Sequence, residues 1–414
     1  MKKNNILNYL FICIVINMVP TILLGALGIP ANVYTILNAC AYILEVIIML
    51  YAIRNNIKKI SNKKLSILLL FFLVQILTQL INYFKWNSIE IEDIIHIFSV
   101  TINVFIFIFC CSYAEINKND LIKFMKKMVL LGIIACIYNL FINGITMLNI
   151  SNLVSSYSVS FSSFFPNRNQ FGIFLLISII SNMYLKQESE KKIYRYFIDI
   201  LFIINLVLTM SRTSIIGLIT VFVAKFYFDY KNKGKKISFI KAILIIILIC
   251  LIVLGIIYIL ENEDVLKLID TLFIRTDNIE TASGRVTVWE NGINIVTENN
   301  LLLGVGRFMG IEFNKTIYGS DLENFHSIYV ETFVIYGIVG LVLLAILLIY
   351  IIKNIKLSKI PKEIKSILLI SIIVFLIISA FETTTRLSIG YADTISLIYF
   401  ITIPIICANM KKEI

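Results

Sequence analysis

Apolar runs near twenty residues recur along almost the whole of this 414-residue chain. Roughly 20 residues at about 1.5 Å each carry a helix across the hydrocarbon core of a bilayer. No backbone polar group can be left unpaired there, so only helices and closed barrels span. Alternating barrel-type segments of about 10 residues are absent, which leaves helices. Spans are expected near Tyr9–Leu27, Val33–Ile53, Leu65–Phe84, Ile94–Ala114, Met128–Leu148, Phe171–Leu185, Tyr196–Met210, Ser214–Tyr227 and Phe239–Leu260. Ile328–Ile352, Ser366–Phe381 and Thr394–Ala408 complete a set of about twelve, each long enough or nearly so to cross. The expected fold is an all-α polytopic membrane protein, with residues 1–414 forming one integral membrane domain. Apolar residues at 59% exclude an ordinary soluble domain.

Basic residues set the expected orientation. Of the 37 lysines and arginines, 28 fall in alternate connections and at the two ends, from Lys2 and Lys3 through Lys58, Lys118, Lys186 and Lys231 to Lys353 and Lys411. Positive charge is retained on the cytoplasmic side, so both termini are placed in the cytoplasm. The basic start and apolar run of Met1–Leu27 resemble a signal peptide and are read as a retained first helix, because many spans follow. The net charge of +11 is then a topology signal, with no support for nucleic-acid binding. All seven cysteines lie in apolar runs, against a disulfide framework or a cysteine metal site.

One long polar segment, Glu261–Phe325 with His326 at its end, falls on the opposite, extracytoplasmic side, giving a large loop over 261–326. Asp264–Phe273 and the series Val286, Trp289, Ile293 and Val296 have the spacing of short amphipathic helices lying on the membrane surface. The outer set of nine basic residues holds six arginines, Arg168, Arg212, Arg275, Arg285, Arg307 and Arg386, against only Arg54 and Arg195 inside. Guanidinium is a planar fork that binds phosphate bidentately and keeps its charge, so this bias points to an anion.

Arg212 stands in the short polar break Thr209–Ser214, where Ser211, Thr213 and Ser214 could cap a helix start aimed at an anion; a plain arginine reaching lipid headgroups is the bland alternative. Arg168 enters a helix after Pro166-Asn167, either as a polar interfacial start or as a substrate contact. Arg285 is expected at the start of the second loop helix, where backbone N–H groups would reinforce its pull on phosphate. Arg307 follows Gly304-Val305-Gly306, a turn that would also allow close backbone approach. His326, at the junction with the next span and ahead of Ser327, Tyr329 and Glu331, is the candidate general base near pH 7. His96 reads as a satisfied interfacial residue, and two lone histidines make no metal site. Walker, nucleotide, nucleophile-elbow and H-E-x-x-H motifs are absent. No paired broken helices or internal repeats are evident, and deep polar residues look scarce beyond Glu45, Gln75 and some asparagines, which weakens a transporter reading.

The order of these features resembles the O-antigen ligase/O-antigen polymerase (Wzy-type) family. The resemblance rests on the Ser211-Arg212 break, Ser283-Gly284-Arg285 with Trp289, Leu303-Gly304-Val305-Gly306, and a histidine leading into Tyr336-Gly337-Ile338-Val339-Gly340. It covers Phe161 to Gly340 well and the first half only through topology; Ser327 stands where the family usually has asparagine. What the resemblance implies is a GT-C-like glycosyltransferase of the cell envelope, acting on an oligosaccharide carried by polyprenyl (undecaprenyl) diphosphate at the outer face of the bacterial cytoplasmic membrane. Capsule or O-antigen polysaccharide would be the product, and neither cofactor nor metal would be needed. Under that reading His326 is the base, with Glu323 or Asp321 as the alternative. Arg212 and Arg285 clamp the diphosphate, and Arg168, Arg307 and Ser211 support them. Partners would be the lipid-linked donor, membrane lipid, a flippase and a chain-length regulator. A ligase moving finished chains would use the same residues, and a transporter for the lipid-linked sugar is the reading from another class.

Overall fold

The structure is a computed structural model that describes residues 5–56, 62–87, 90–147, 161–188, 193–209, 211–232, 279–320, 324–383 and 391–410. Among these residues the ordered elements are helices. Six of the helices are long and apolar enough to cross a membrane: α1 (Ile6–Leu27), α2 (Ala31–Asn56), α4 (Ile91–Asn103) with its continuation to Tyr113, α5 (Lys118–Met147), α8 (Arg212–Asn232) and α11 (Ile328–Leu357). Also helical are α3 (Asn62–Trp86), α6 (Arg168–Glu188), α7 (Ile193–Leu208) and α12 (Lys362–Ile378), together with α13 (Tyr391–Ser396) and α14 (Ile403–Cys407). The expected span Phe239–Leu260 and the expected helix Asp264–Phe273 lie outside the described residues. Large apolar side chains stand exposed along these helices, Phe141 at 86% and Phe84 at 81%, a surface that water would disfavour and lipid tails accept.

The chain divides into two compact units. The first comprises Met1–Phe124, Glu280–Ile360 and Ile378–Ile414. Asn5 opens α1 by accepting the Leu7 N–H at 3.0 Å, and Gly28, left-handed at φ 61°, closes it. α1 packs along α2. α4 runs into a π-helical stretch, Val104–Cys110, which packs on a second one, Leu397–Thr402, lying between α13 and α14. Such wide turns are uncommon and recur at functional sites. α3 and α4 turn polar faces inward: Gln75, Thr78, Gln79 and Asn82 on one, Asp93, His96, Ser99 and Asn103 on the other, all buried. Their three- and four-residue spacings put each set on one helix face, so deep polar residues are more abundant than hydropathy suggests.

α11 is broken at Gly337, which adopts φ 62° and ψ −157°, open to glycine alone. The interrupted ladder is repaired from the 301–306 loop. Ile338 and Val339 donate to Leu301 O at 3.1 Å and Leu302 O at 3.2 Å, and Val334 O and Ile335 O accept from Val305 at 2.8 Å and Gly306 at 3.2 Å. The expected span over Ile328–Ile352 is therefore real but interrupted. A methyl group at Gly304 would stand 2.6 Å from Gly337 N, so the two backbones meet through paired glycines.

The second unit comprises Met125–Ile279 and Pro361–Ile377. α6 is its axis, buried without interruption from Phe171 to Leu185. Gly132 of α5 lies against Ser178 of α6 and Phe202 of α7, the small-residue contact that lets membrane helices approach closely. Asn139 ties this unit together: its amide donates to Asn205 Oδ1 at 2.9 Å, and its Oδ1 accepts the Ser163 N–H at 3.2 Å. At the far end of α6, Lys186 pairs with Asp199, and Asn182 accepts Arg195 Nη1 at 3.2 Å.

Candidate functional site

Two clusters hold the site residues expected from sequence, one in each unit. In the first unit, α9 (Ile279–Asn299) and α10 (Arg307–Tyr318) fall within residues 261–326, the stretch expected from sequence to form a large loop. The inward face of α9 is Val288, Asn291, Ile295 and Val296, packed with Val305, Met309, Phe325 and Val334. Val286 and Ile293, expected on the apolar face, are exposed instead, because the burying partner is the α10–α11 surface and sits a part-turn away. Lys85 donates to Asn299 O at 2.9 Å, a cation on the negative end of α9.

Arg285 does not begin its helix; α9 starts at Ile279, so Arg285 lies well inside it and draws nothing from free N–H groups. It donates instead to Phe381 O at 2.9 Å and to Glu382 Oε1 at 2.8 Å. One turn on, Trp289 donates its indole N–H to Phe325 O at 2.9 Å and tilts against the Phe381 ring, centroids 6.1 Å apart. Arg285, Trp289, Phe381 and Glu382 thus share one patch with the backbone that delivers His326. That histidine is half-buried and left-handed at φ 49°, with its N–H donated to Asn324 Oδ1 at 3.0 Å. Ser327 begins α11 without a side-chain cap, and Ile328 donates to Ser379 O at 2.9 Å.

Arg307 opens α10 behind Gly306, and its guanidinium is met by Glu331 Oε1 at 3.3 Å. The other Glu331 oxygen accepts the Phe325 N–H at 3.0 Å. Asp93 sits on the start of α10, accepting the Phe308 N–H at 3.1 Å, with the Gln79 amide and the Arg307 N–H alongside. A carboxylate on a positive helix end is stabilising. His96 Nε2 lies 3.0 Å from Tyr336 OH, the satisfied role expected of it, though inside the unit rather than at an interface. Asp93 and Glu382 were missed by sequence reasoning, and Glu331 entered it only as a neighbour of His326, not as the partner of Arg307. The polar break Phe381–Thr384 and the helical spacing of Asp93 with His96 were the available signals. Glu323, Asp321, Arg275 and Arg386 lie outside the described residues.

In the second unit Arg168 is the first residue of α6 and Arg212 the first of α8. Asn167 Oδ1 caps α6 by accepting Gln170 N–H at 2.9 Å; Ser211 Oγ caps α8 by accepting Ser214 N–H at 3.3 Å. A stack of Phe164, Phe165 and Phe171 fixes the approach to Arg168, with centroids 5.0 and 5.5 Å apart. Gly172, one turn into α6, admits Ser214 so closely that a methyl group there would overlap it. The two helix starts are therefore neighbours, which nothing in the sequence indicated. An arginine on the first turn opposes the helix dipole by about 0.3–1 kcal/mol, and both helix starts carry one. Among the described residues no group of three or more His, Cys, Asp or Glu side chains is placed to hold a metal ion.

Long apolar helices, a broken span and buried charged groups at its entry define a helical membrane protein. Residues 197–345 match the family model Wzy_C, O-antigen ligase, which supports assignment to the O-antigen ligase/polymerase family. The matched stretch includes Ser211, Arg212, Arg285, Arg307 and His326. No curated protein matches the chain.

Proposed function

We propose that this protein is a polysaccharide polymerase of capsule or O-antigen type. It joins oligosaccharide repeat units carried on polyprenyl diphosphate at the outer face of the bacterial cytoplasmic membrane. The observation that carries this reading is the pair of arginine-bearing helix starts, Arg168 and Arg212, brought together by Gly172 and Ser214. Two guanidinium groups carried on two neighbouring positive helix ends suit a diphosphate.

In the proposed reaction an acceptor hydroxyl attacks the anomeric carbon with inversion. The new bond is between that carbon and the acceptor oxygen. The bond from the same carbon to the phosphate oxygen breaks, and the electron pair leaves with polyprenyl diphosphate. The hydroxyl proton passes to His326, or to Glu323 or Asp321 should either replace it. Arg168, Ser211 and Arg212 take the growing negative charge of the leaving group, so no acid is required. Arg285 assists from the patch that holds His326, where Glu382 keeps it in place between turnovers. Arg307, engaged by Glu331, supports the same bend. A flippase would deliver the donor, and a chain-length regulator would act on the product.

A ligase reading is favoured by the description of the matched family. The inward polar faces of α3 and α4 favour a transporter of lipid-linked sugar. One measurement separates them: extraction and sizing of lipid-linked oligosaccharide from cells carrying Arg285→Lys, Arg212→Ala or His326→Ala. Single repeat units reaching the outer face without lengthening are the expected result. Normal long chains in all three variants would overturn the site assignment. Long chains left on the lipid carrier identify a ligase, and units trapped inside identify a transporter.

A further inference from the structure

Far along the first unit from His326 by sequence, Glu45 of α2 is fully buried among membrane-spanning helices. Neither carboxylate oxygen has a hydrogen-bond partner of ordinary geometry among the described residues, and no described lysine or arginine accompanies it. The face of α1 that meets it carries Cys13, Asn17 and Thr21 at four-residue spacing, all buried. Cys13 Sγ lies 3.9 Å from the Glu45 carbonyl, and the Asn17 side chain stands beside the carboxylate. One turn further, Thr21 Oγ1 is also buried without a partner.

Pro20 lies inside α1 between Asn17 and Thr21. Having no N–H, it removes the ordinary helical donor to the carbonyl four residues back, that of Ile16. The Glu45 carboxylate thus faces the Asn17 amide, the Thr21 hydroxyl lies one turn on along the same face of α1, and the Ile16 carbonyl in that stretch lacks its ordinary helical donor. These are hard oxygen donors, the set that replaces the hydration shell of a small cation. A bare carboxylate in such a place is too costly to persist. The other titratable side chains facing it are Cys13 and Tyr42. Tyr42 is engaged elsewhere, with Ser99 O and Asn103 Oδ1 each 3.2 Å from its hydroxyl.

We propose that Glu45, with Asn17, Thr21 and the Ile16 carbonyl, binds a small monovalent cation, sodium or a proton, between α1 and α2. The site is separate from glycosyl transfer and does not depend on that reading. The test is thermal unfolding of the full chain in detergent, with sodium chloride or pH varied at constant ionic strength using potassium as the balancing ion. Because the cation binds only the folded protein, the midpoint rises by a few degrees as the site fills. A rise with sodium that is lost in Glu45→Gln identifies sodium; a rise only on mild acidification, again lost in Glu45→Gln, identifies a proton. An equal response in both proteins, or none, overturns the proposal. Should Glu45→Gln fail to fold, dicyclohexylcarbodiimide labelling of the unaltered chain decides, since the reagent modifies protonated carboxyls in apolar surroundings. Modification at Glu45 that sodium or alkaline pH suppresses supports the site, and its absence overturns it.

Discussion

Glu331 holds Arg307 on one carboxylate oxygen, at 3.3 Å, while its other oxygen takes the backbone N–H of Phe325 at 3.0 Å. The glycine-arginine turn and the histidine bend are therefore coupled through one side chain that is itself 6% exposed. Glu331→Ala should leave a buried N–H and a half-buried guanidinium unmatched, costing about 1–3 kcal/mol of stability. Arg307→Ala in that background should add little, because both changes remove the same ion pair. Thermal unfolding of the two single variants and the double variant checks this; strict additivity would contradict it.

Gly172→Ala should force α6 and α8 apart at Ser214, with a cost of about 1–3 kcal/mol for an overpacked contact. Ser214→Gly in the same chain should recover part of the loss by removing the atoms that the new methyl meets. Unfolding midpoints for the three variants give the comparison. Sized lipid-linked products then test whether separating Arg168 from Arg212 shortens the chains made.

At Gly337 any side chain is strained by the backbone angles, at about 1–3 kcal/mol, before its collision with Leu302 is counted. Gly337→Ala should lower folded yield more than Gly144→Ala, since a methyl at Gly144 meets nothing. Fluorescence-detected gel filtration of the two variants measures the difference. Equal yields would mean that the break is not needed for folding.

Asn139→Leu should orphan the buried Asn205 amide oxygen and the Ser163 N–H together, at about 1–3 kcal/mol for each group left unsatisfied. Asn139→Leu with Asn205→Leu should regain part of it, because two apolar groups need no partners. The reading is again the unfolding midpoint.

What could be read from sequence was local. Asn167 and Ser211 cap the helices that follow them within three residues, so the starts bearing Arg168 and Arg212 were visible in short stretches of chain. The partners of the loop arginines were not. Glu382 lies 97 positions from Arg285, and Asp93 lies 215 from Phe308; no periodicity links residues so far apart. The buried polar residues of α3 and α4 recur at helical spacing, yet they read as scarce in the sequence because a hydropathy average conceals four amides or hydroxyls among many leucines and isoleucines. Gly337 sits in an apolar run that reads as one helix, and only the arrival of residues 301–306 makes a break affordable there. The seventh-residue position of Arg285 escaped because the helix begins before Ser283-Gly284, a pair that reads as a start.

The Gly337 break also sets an order of assembly. Its unpaired backbone groups would each cost several kcal/mol against lipid, so the first turns of α11 are not stable as a solitary inserted span. Their hydrogen-bond partners, Leu301, Leu302, Val305 and Gly306, are encoded upstream and leave the ribosome first. The nascent helix thus meets a template already made. The bend that presents His326 is settled at the same moment, late in biogenesis, when most of the chain is already in the bilayer.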